Sequence, residues 1–341
     1  MPIDDDQRAR LRQAKLRAIV REAFDEPDGD PASYPNGAAL ITGDRAFVLV
    51  EDATPRSAGG PVLWATREGL GQLDVLVDLA EVPAAGTDDR DVAADLARRL
   101  ALFDPPARVW SVDGSSAVAV ERGLPPDPEP APDGTETLIG LLVNAGLDVV
   151  TEDGIVRGEE LGLEVARIVP DPDVDWRLEV GVGQFDQAAA AMMYADRPTA
   201  DALDAVVREV RRHRYAGAPM HPVRNLCRER WLRHMVIAEP DLVGATFLRP
   251  IESTVSRRNL RDPHPAFAVG SLADGSPVVV ACTYGVDVDL LPLAADVRDR
   301  EAPDAELVVV SAGDLPASVH SLADRMAGTV RFVRLAAPWE G

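Results

Sequence analysis

The chain has 341 residues, 46% of them hydrophobic and 27% charged, and its formal net charge is −22. This length allows two or three domains with cores of their own, and the ordinary apolar content excludes an intrinsically disordered acidic protein. No apolar run reaches the length of a membrane span and the first residues, MPIDDDQRAR, lack the apolar stretch of a signal peptide, so we expect no membrane partner and a cytoplasmic location.

The first module begins with an amphipathic helix at residues 4–24, which we expect to dock on its own module. Its apolar face consists of Leu11, Leu16, Ile19, Val20 and Phe24. The elements that follow have the order β-β-α-β-α-β: a hairpin at 38–42 and 46–51, a helix at 59–67, a strand at 73–79, a helix at 90–103 and a hairpin at 109–120.

A Pro-rich acidic segment, GLPPDPEPAPDG at residues 123–134, predicts a semi-rigid linker and the clearest boundary in the chain. The middle module follows, with helices at its start and end and three strands between them. These elements are a helix at 136–145, two strands within 148–169, a third strand at 177–182, and helices at 184–194 and 199–213. A basic helix at 221–236, with Pro222 in its first turn, extends this module.

The last module repeats the order β-β-α-β-α-β, which we interpret as an internal repeat of element order. Its elements are a hairpin at 266–270 and 277–282, a helix at 290–300, a strand at 306–311, a helix at 317–326 and a strand at 329–335. The sequence thus predicts an α/β fold of three lobes, in which two related β-β-α-β-α-β outer modules flank a middle α-β-β-β-α lobe with a basic helical extension. The predicted boundaries are 1–122, a linker at 123–134, 135–262 and 263–341.

One stretch, from Arg208 to Arg261, is strongly basic, with 12 Arg residues against 5 Asp and Glu. The net charge of this stretch is +7 and that of the whole chain is −22, so the rest of the chain carries a net charge of −29. A cationic surface in an anionic protein attracts a focused anion, which could be a phosphate group, nucleic acid or another part of the same chain. Repulsion by the acidic lobes disfavours a general binder of duplex nucleic acid.

The candidate anion-binding residues in this stretch are Arg224, Arg228, Arg230 and Arg233, which the predicted helix carries together with Trp231. A spacing of four places Arg224 and Arg228 on one face. Guanidinium groups bind phosphate through two parallel hydrogen bonds, and an exposed Trp could stack on a base. Alternatively, the arginines pair with acidic neighbours in the chain, while Trp231 belongs to a buried stripe.

The element order of the middle module resembles the core of the restriction-endonuclease-like, PD-(D/E)XK, fold. In that family an acidic residue on one strand and a Glu-x-Lys pair on the next bind a divalent metal and position the attacking water. The resemblance implies Glu160 or Glu164 as the first carboxylate and Glu179 as the second. The lysine position falls on Gly181, or on Ala166 when Glu164 is used.

As a whole, the chain is also similar to a family of GC-rich bacteria to which no activity is assigned. The segments that carry this resemblance are GLEVARIV, ERWLR and GVDVDLLPLAADVR.

Paired carboxylates offer one further metal candidate, since Asp287 and Asp289 form an Asp-x-Asp pair of the kind that can hold magnesium. The alternative is that Asp289 caps the helix predicted to begin at residue 290. Lys15 is the single lysine, which excludes a P-loop lysine and disfavours Schiff-base chemistry. Cys227 and Cys282 are isolated thiols, which indicate a reducing compartment, and we expect Cys227 to be buried and structural.

Three functional hypotheses follow. The first is a non-catalytic, nuclease-like protein that binds an anionic partner, such as nucleic acid, through its Arg-rich helix, with no cofactor. The second is a metal-dependent nuclease that uses the middle-lobe carboxylates with Mg²⁺. The third is a structural or protein-interaction role, in which the arginines are paired internally. Arginines buried against Asp and Glu favour the third hypothesis, whereas an exposed Arg face favours the first.

Overall fold

The structure, a computed structural model, describes residues 5–25, 29–35, 37–78, 92–182, 199–257 and 264–340. The helix predicted at 184–194 lies outside these residues. Internal contacts divide the chain into two compact units. Unit 1 comprises Met1–Pro125, Val288–Asp296 and Pro316–Thr329, and unit 2 comprises Pro126–Asp287, Val297–Leu315 and Val330–Gly341. The change from unit 1 to unit 2 at Pro125–Pro126 falls within the predicted linker.

The mixed α/β class is confirmed, with sheets of six, four and five strands among the described residues. The six-stranded sheet of unit 1 runs in the order β1 to β6: Asp30–Ala32, Gly37–Thr42, Arg45–Val50, Gln72–Asp78, Arg108–Asp113 and Ser116–Ala119. Strands β3, β4 and β5 are parallel and the other neighbours are antiparallel. The first three helices are α1 Asp5–Phe24, α2 Gly59–Arg67 and α3 Val92–Leu100.

Helix α1 docks on the sheet of its own unit, as predicted. Leu16, Ile19 and Val20 are buried against apolar side chains of the sheet such as Phe47. Leu11 is 54% exposed and so lies off the apolar face to which we assigned it. Burial of the helix face is the main source of its stability, because isolated helices of this length are marginal in water.

Lys15 links α1 to the carboxyl end of a central strand. Its ammonium group donates to Asp78, the buried last residue of β4. The single lysine is therefore a structural ion-pair partner within unit 1.

Unit 2 contains the other two sheets. The four-stranded antiparallel sheet has the order β10-β9-β8-β7, formed by β7 Asp148–Glu152, β8 Ile155–Glu160, β9 Leu163–Asp171 and β10 Asp175–Val180. The five-stranded sheet has the order β11 to β15, formed by Ala245–Ile251, Ala266–Leu272, Pro277–Thr283, Glu306–Ser311 and Val330–Arg334. The helices of unit 2 are α4 Glu136–Asn144, α5 Thr199–His213, α6 Pro222–Asn225 and α7 Arg228–Ala238. Two further helices follow in the chain: α8 Leu290–Glu301, of which the residues up to Asp296 are assigned to unit 1, and α9 Ala317–Ala323, which belongs to unit 1. None of the described helices is both long and apolar enough to cross a membrane.

The middle sheet has four strands where we expect three. The segment at 148–171 contains β7, β8 and β9, joined by two-residue turns at 153–154 and 161–162 in which both residues have positive φ. Turns of this kind match the twist of antiparallel strands and consist of only two residues, so they leave a short signal in the sequence. Strand β8, IVRGEE, lacks the apolar run by which a buried strand is recognised in a sequence. It is buried all the same, because its two glutamates form ion pairs with arginines.

Apolar packing in unit 2 has two centres. Leu142, Val165 and Val207 belong to the core between α4, α5 and the four-stranded sheet. Helix α7 packs through Trp231 and Leu232 on the five-stranded sheet, whose β13 and β14 are almost continuous apolar runs. Such runs suit strands that are buried on both faces.

The prediction of a single helix at 221–236 is wrong, because the structure has two helices there, α6 and α7. Between them Leu226 is extended and Cys227 has a left-handed φ of 48°. The Nη1 atom of Arg214 donates to the carbonyl oxygens of Val223, at 2.9 Å, and Leu226, at 2.7 Å. In a continuous helix these carbonyls would accept from the backbone four residues on, so the Arg214 side chain replaces helical hydrogen bonds at the break.

Candidate functional site

The basic stretch folds as the end of α5, the two helices α6 and α7, and β11, and its arginines fall into two groups. One group is paired with carboxylates, and the other group meets only neutral acceptors. The division decides which residues can serve an outside ligand, because a guanidinium already neutralised in the interior has little to offer one.

Arg230 and Arg233 belong to the first group. Arg230 Nη1 lies 2.6 Å from Glu159 Oε1, and Arg233 Nη2 lies 2.7 Å from Glu159 Oε2. Glu152 pairs with both arginines as well. All three of Arg230, Arg233 and Glu159 are buried. These four side chains form a buried ion-pair network, and the predicted exposed face of four arginines is corrected, since two of its members lie inside the protein.

The ion-pair network shifts the pKa values of Glu152 and Arg230. Burial alone would raise the pKa of Glu152, but the nearby charges of Arg230, Arg233 and Arg157 outweigh burial and hold that pKa at about 2. Burial lowers the pKa of Arg230, while Glu152 and Glu159 raise it by more, so its net pKa is raised. Glu152 and Arg230 are therefore both ionised at neutral pH, and their charges compensate each other.

The three carboxylates implied by the nuclease resemblance are each paired with arginine. Glu160 accepts two hydrogen bonds from Arg211, at 2.8 and 3.0 Å. Glu164 lies 3.0 Å from Arg157 Nε, and burial raises its pKa in spite of that arginine.

Glu179, the third of these carboxylates, lies 2.9 Å from Arg167, its register partner on β9. The alternative lysine position, Ala166, is buried. In the part of the chain that the structure describes, no three His, Cys, Asp or Glu side chains are placed to hold a metal ion.

The candidate metal residues Asp287 and Asp289 have other surroundings. Asp289 Oδ1 accepts from the backbone N–H groups of Ala58, at 3.0 Å, and Gly59, at 2.9 Å, and so caps the start of α2. The sequence predicts Asp289 as the cap of α8, whereas these two hydrogen bonds go to the start of α2, a helix that is distant in sequence. Asp287 is buried in unit 2.

Arg214 belongs to the second group of arginines. It is 2% exposed, and its guanidinium carbon lies 4.3 Å from the centroid of the Trp231 ring. It donates to three backbone carbonyls, including that of Leu161 at 2.9 Å. Burial lowers its pKa to about 10, and the nearby charge of Arg228 acts in the same direction. At neutral pH Arg214 is still protonated, so it contributes a buried positive charge.

Arg224 and Arg228 are half-exposed. Arg224 donates to the carbonyl oxygens of Ala218 and Trp339. Arg228 donates to the hydroxyl of Tyr284 and to Asn225 Oδ1, and its guanidinium carbon lies 4.6 Å from the Tyr284 ring centroid. Among the described residues neither arginine has a carboxylate within ion-pair distance.

These arginines and three aromatic rings form one arginine–aromatic cluster. The rings of Trp231 and Trp339 are 5.7 Å apart, and those of Tyr284 and Trp339 are 5.2 Å apart in an edge-on arrangement. Arg228 lies 5.0 Å from the centroid of the Trp339 ring. The cluster comprises Arg214, Arg224, Arg228, Trp231, Tyr284 and Trp339.

The cluster contains buried donors that have no acceptor. The Nε atoms of Arg214, Arg224 and Arg228 and the indole Nε1 of Trp339 find no hydrogen-bond partner among the described residues. Buried donors are almost always satisfied in native proteins, so several in one place call for an explanation. An acceptor-only group, such as a carboxylate or phosphate, is the chemical complement of this cluster.

Sequence reasoning found Arg224 and Arg228 through their helical spacing but missed Arg214, Tyr284 and Trp339. Arg214 has a local signal, since it is next to Tyr215 in an Arg-rich run. Tyr284 and Trp339 lie after strands β13 and β15 and carry no local signal of a site.

Comparison with models of protein families, with curated proteins and with solved structures finds no match to this chain.

Proposed function

We propose that the chain is a non-catalytic protein that binds an anionic partner through Arg224 and Arg228 of the arginine–aromatic cluster. The observation that carries the proposal is the pair of half-exposed guanidinium groups that meet only neutral acceptors in a chain of net charge −22. Elsewhere in the basic stretch, Arg211, Arg230 and Arg233 have carboxylate partners of their own. A positive site that stays uncompensated in so acidic a protein supports a role towards an outside anion.

The favoured partner is an acidic segment of another protein that also carries apolar side chains. Trp231 and Trp339 are buried, and one face of Tyr284 is covered by Arg228, so bases have little aromatic surface to stack on. Exposed apolar side chains accompany the arginines: Met220 precedes Arg224 by four residues in the chain, and Tyr284, which contacts Arg228, is 41% exposed. Two cations beside apolar side chains fit a short acidic and apolar segment better than an extended phosphate backbone.

The test is fluorescence anisotropy with a labelled peptide of alternating acidic and leucine residues, beside labelled single- and double-stranded DNA and RNA, in a salt series. We expect the peptide to bind at low salt and the double variant Arg224→Ala/Arg228→Ala to lose about ten-fold or more in affinity, since each charge-assisted contact contributes about 1.5–3 kcal/mol. The matched control is Arg208→Ala/Arg212→Ala, which removes the same charge from exposed positions on α5.

Equal losses in the two double variants would indicate non-specific attraction and contradict the site. Binding of nucleic acid but not of peptide, with the same dependence on Arg224 and Arg228, would keep the anion site and change the class of partner. Absence of binding to every anion at low salt would overturn the proposal and favour the structural role, in which the whole basic stretch serves the fold.

A further inference from the structure

Unit 1 contains a cavity of about 300 Å³ at the carboxyl end of strand β3. It is lined by the loop that joins β3 to α2, by the first turn of α2, by Tyr34 and by Val288 with Asp289. All of these residues belong to unit 1. The volume is at the lower end of the range of cavities that hold small molecules, about 300–1,000 Å³.

The backbone at the start of α2 lies very close to the backbone of Val288 and Asp289. A Cβ atom on Gly59 would lie 1.9 Å from the carbonyl oxygen of Val288, so only glycine allows the Val288–Asp289 backbone to reach the helix. Asp289 then caps the helix through the N–H groups of Ala58 and Gly59. A Cβ on Gly60 would lie 3.1 Å from the Tyr34 hydroxyl, which is tighter than an ordinary contact. The two glycines therefore shape this wall of the cavity.

Tyr34 supplies a buried polar group that faces the cavity. The side chain is 8% exposed, and its ring lies edge-on to Trp64 with the centroids 6.0 Å apart. Trp64 is fixed in turn by its indole N–H, which donates to the carbonyl oxygen of Ser33 at 2.9 Å. The Tyr34 hydroxyl lies beside Gly60, and both residues line the cavity. Burial and the charge of Asp289 raise the pKa of Tyr34, so the neutral hydroxyl can both donate and accept.

The charge of the lining selects a class of ligand. The lining contains the carboxylates of Asp52 and Asp289, the guanidinium of Arg56, and Glu51, which forms an ion pair with Arg12 outside the lining. Asp52 is exposed and has a left-handed φ of 48°, a backbone conformation that Asp and Asn tolerate better than most residues. The carboxylates do not converge as metal ligands, since no group of three suitable side chains among the described residues could hold a metal ion. An organic cation with several N–H donors matches this lining better than a metal ion does.

We propose that this cavity is a binding site for a small organic cation that carries an ammonium or guanidinium group. The N–H donors of such a group have the Tyr34 hydroxyl and the carboxylates of Asp52 and Asp289 as acceptors. The site is separate from the arginine–aromatic cluster of unit 2 and attracts charge of the opposite sign, so the two proposals stand or fall independently.

The test is isothermal titration calorimetry and thermal unfolding of the full chain with agmatine, cadaverine and arginine amide as cationic probes, and with citrate and Mg²⁺ as comparisons. We expect at least one organic cation to bind with one site per chain and to raise the midpoint of thermal unfolding. Tyr34→Phe removes only the hydroxyl, and we expect it to weaken binding by about three- to ten-fold, the usual effect of one hydrogen bond. Asp52→Asn keeps the preference for the left-handed conformation while removing a charge, and we expect a loss of similar size.

The matched control is Asp113→Asn, which removes an exposed carboxylate at the β5–β6 turn and should leave binding unchanged. Thermal unfolding of each variant without ligand shows whether it is folded. Binding that is equal in the wild type, Tyr34→Phe and Asp52→Asn would place the ligand elsewhere and overturn the proposal. So would the absence of heat with all three organic cations, or binding of Mg²⁺ that competes with them.

Discussion

Arg230 and Glu159 form an ion pair in which both side chains are buried, with Nη1 and Oε1 2.6 Å apart. The same carboxylate accepts from Arg233, so one acidic residue of β8 holds two arginines of α7. Removing one member of such a set leaves an uncompensated charge in the interior, which costs more than the net contribution of the pair. Glu159 therefore joins β8 to α7 through two buried ion pairs.

We expect Glu159→Gln to lower the free energy of unfolding by about 3–5 kcal/mol, because two buried guanidinium groups then share Glu152 alone. The measurement is urea unfolding followed by circular dichroism. The control, Glu179→Gln, removes a partly exposed carboxylate from the same sheet and should cost about 0–1 kcal/mol. Equal effects of the two changes would show that the network contributes no more than a surface ion pair.

Stability should depend on pH through His234, whose imidazole is hydrogen-bonded to Asp148. That hydrogen bond raises the pKa of His234, against the opposing effect of burial. The folded state thus binds the proton more tightly than the unfolded state does. The contribution of the pair is fully present below the unfolded pKa, about 6.5, and is lost as the pH rises through the folded pKa.

The measurement for this pair compares urea midpoints of the wild type and His234→Gln between about pH 5 and pH 9. We expect the wild type to be more stable at the acidic end, by about 1 kcal/mol or less, and the difference to shrink towards pH 9. Asp148→Asn should abolish the same pH dependence. A difference that grows with pH would contradict the assigned direction of the pKa shift.

Gly162 is expected to be intolerant of any side chain. Its φ is +75°, and a Cβ there would lie 2.3 Å from the backbone carbon of Arg230, at the start of α7. Gly162→Ala combines backbone strain with a clash against a helix, so we expect a loss of more than about 3 kcal/mol in urea unfolding. Gly217→Ala is the matched control, since Gly217 has a φ of +78° with nothing within 4 Å of its Cβ position. It should lose only about 1 kcal/mol, and a similar loss at both positions would leave strain alone as the cause.

We expect no cleavage of plasmid DNA or of RNA when magnesium or manganese is added. Glu160, Glu164 and Glu179 are each engaged by an arginine, and the pKa of Glu164 is raised, so a metal would have to displace guanidinium groups to bind. The measurement is a gel assay over several hours with an EDTA control. Cleavage that requires metal and disappears in Glu164→Gln would contradict this prediction and revive the nuclease hypothesis.

Both thiols should react slowly in the folded protein. Burial raises the pKa of Cys227, and it raises that of Cys282 to about 12, so little thiolate forms near neutral pH. We expect alkylation by iodoacetamide, followed by mass spectrometry, to be at least about 100-fold slower in buffer than in urea. Fast modification of Cys227 alone would contradict this prediction and mark Cys227 as a reactive thiol.

Much of the fold can be predicted from the sequence because its outer modules follow simple rules. Strand β13, PVVVACT, is apolar enough to identify a buried strand, and a turn with Gly275 marks the hairpin that joins it to β12. The middle module is harder to predict, since β8 carries two buried glutamates whose partners lie far away in the sequence. Arg230 and Glu159, for example, are 71 residues apart.

The candidate site was predictable only in part, and for a similar reason. Their spacing of four residues predicts that Arg224 and Arg228 lie on one face of a continuous helix. In the structure the helix is interrupted between them, where Arg214 donates hydrogen bonds to two backbone carbonyl oxygens. Whether the charge of an arginine is compensated by a carboxylate depends on contacts with strands that are distant in sequence, and the spacing of residues along a helix cannot reveal those contacts. Arg233 and Arg228 look alike in the sequence, and the fold alone makes one of them internal and leaves the other half-exposed.

The ion pair of Lys15 with Asp78 also governs how the protein can be tagged. Enzymes and reagents that form an amide on a side-chain amine find a single ε-amino group in this chain, and it faces a buried carboxylate at the end of β4. An acyl group on that nitrogen would cancel the charge opposite Asp78 and leave a buried carboxylate without its ammonium partner. Conjugation at Lys15 would therefore weaken the attachment of α1 to β4, so an amine-directed label would change the stability of the protein that it marks.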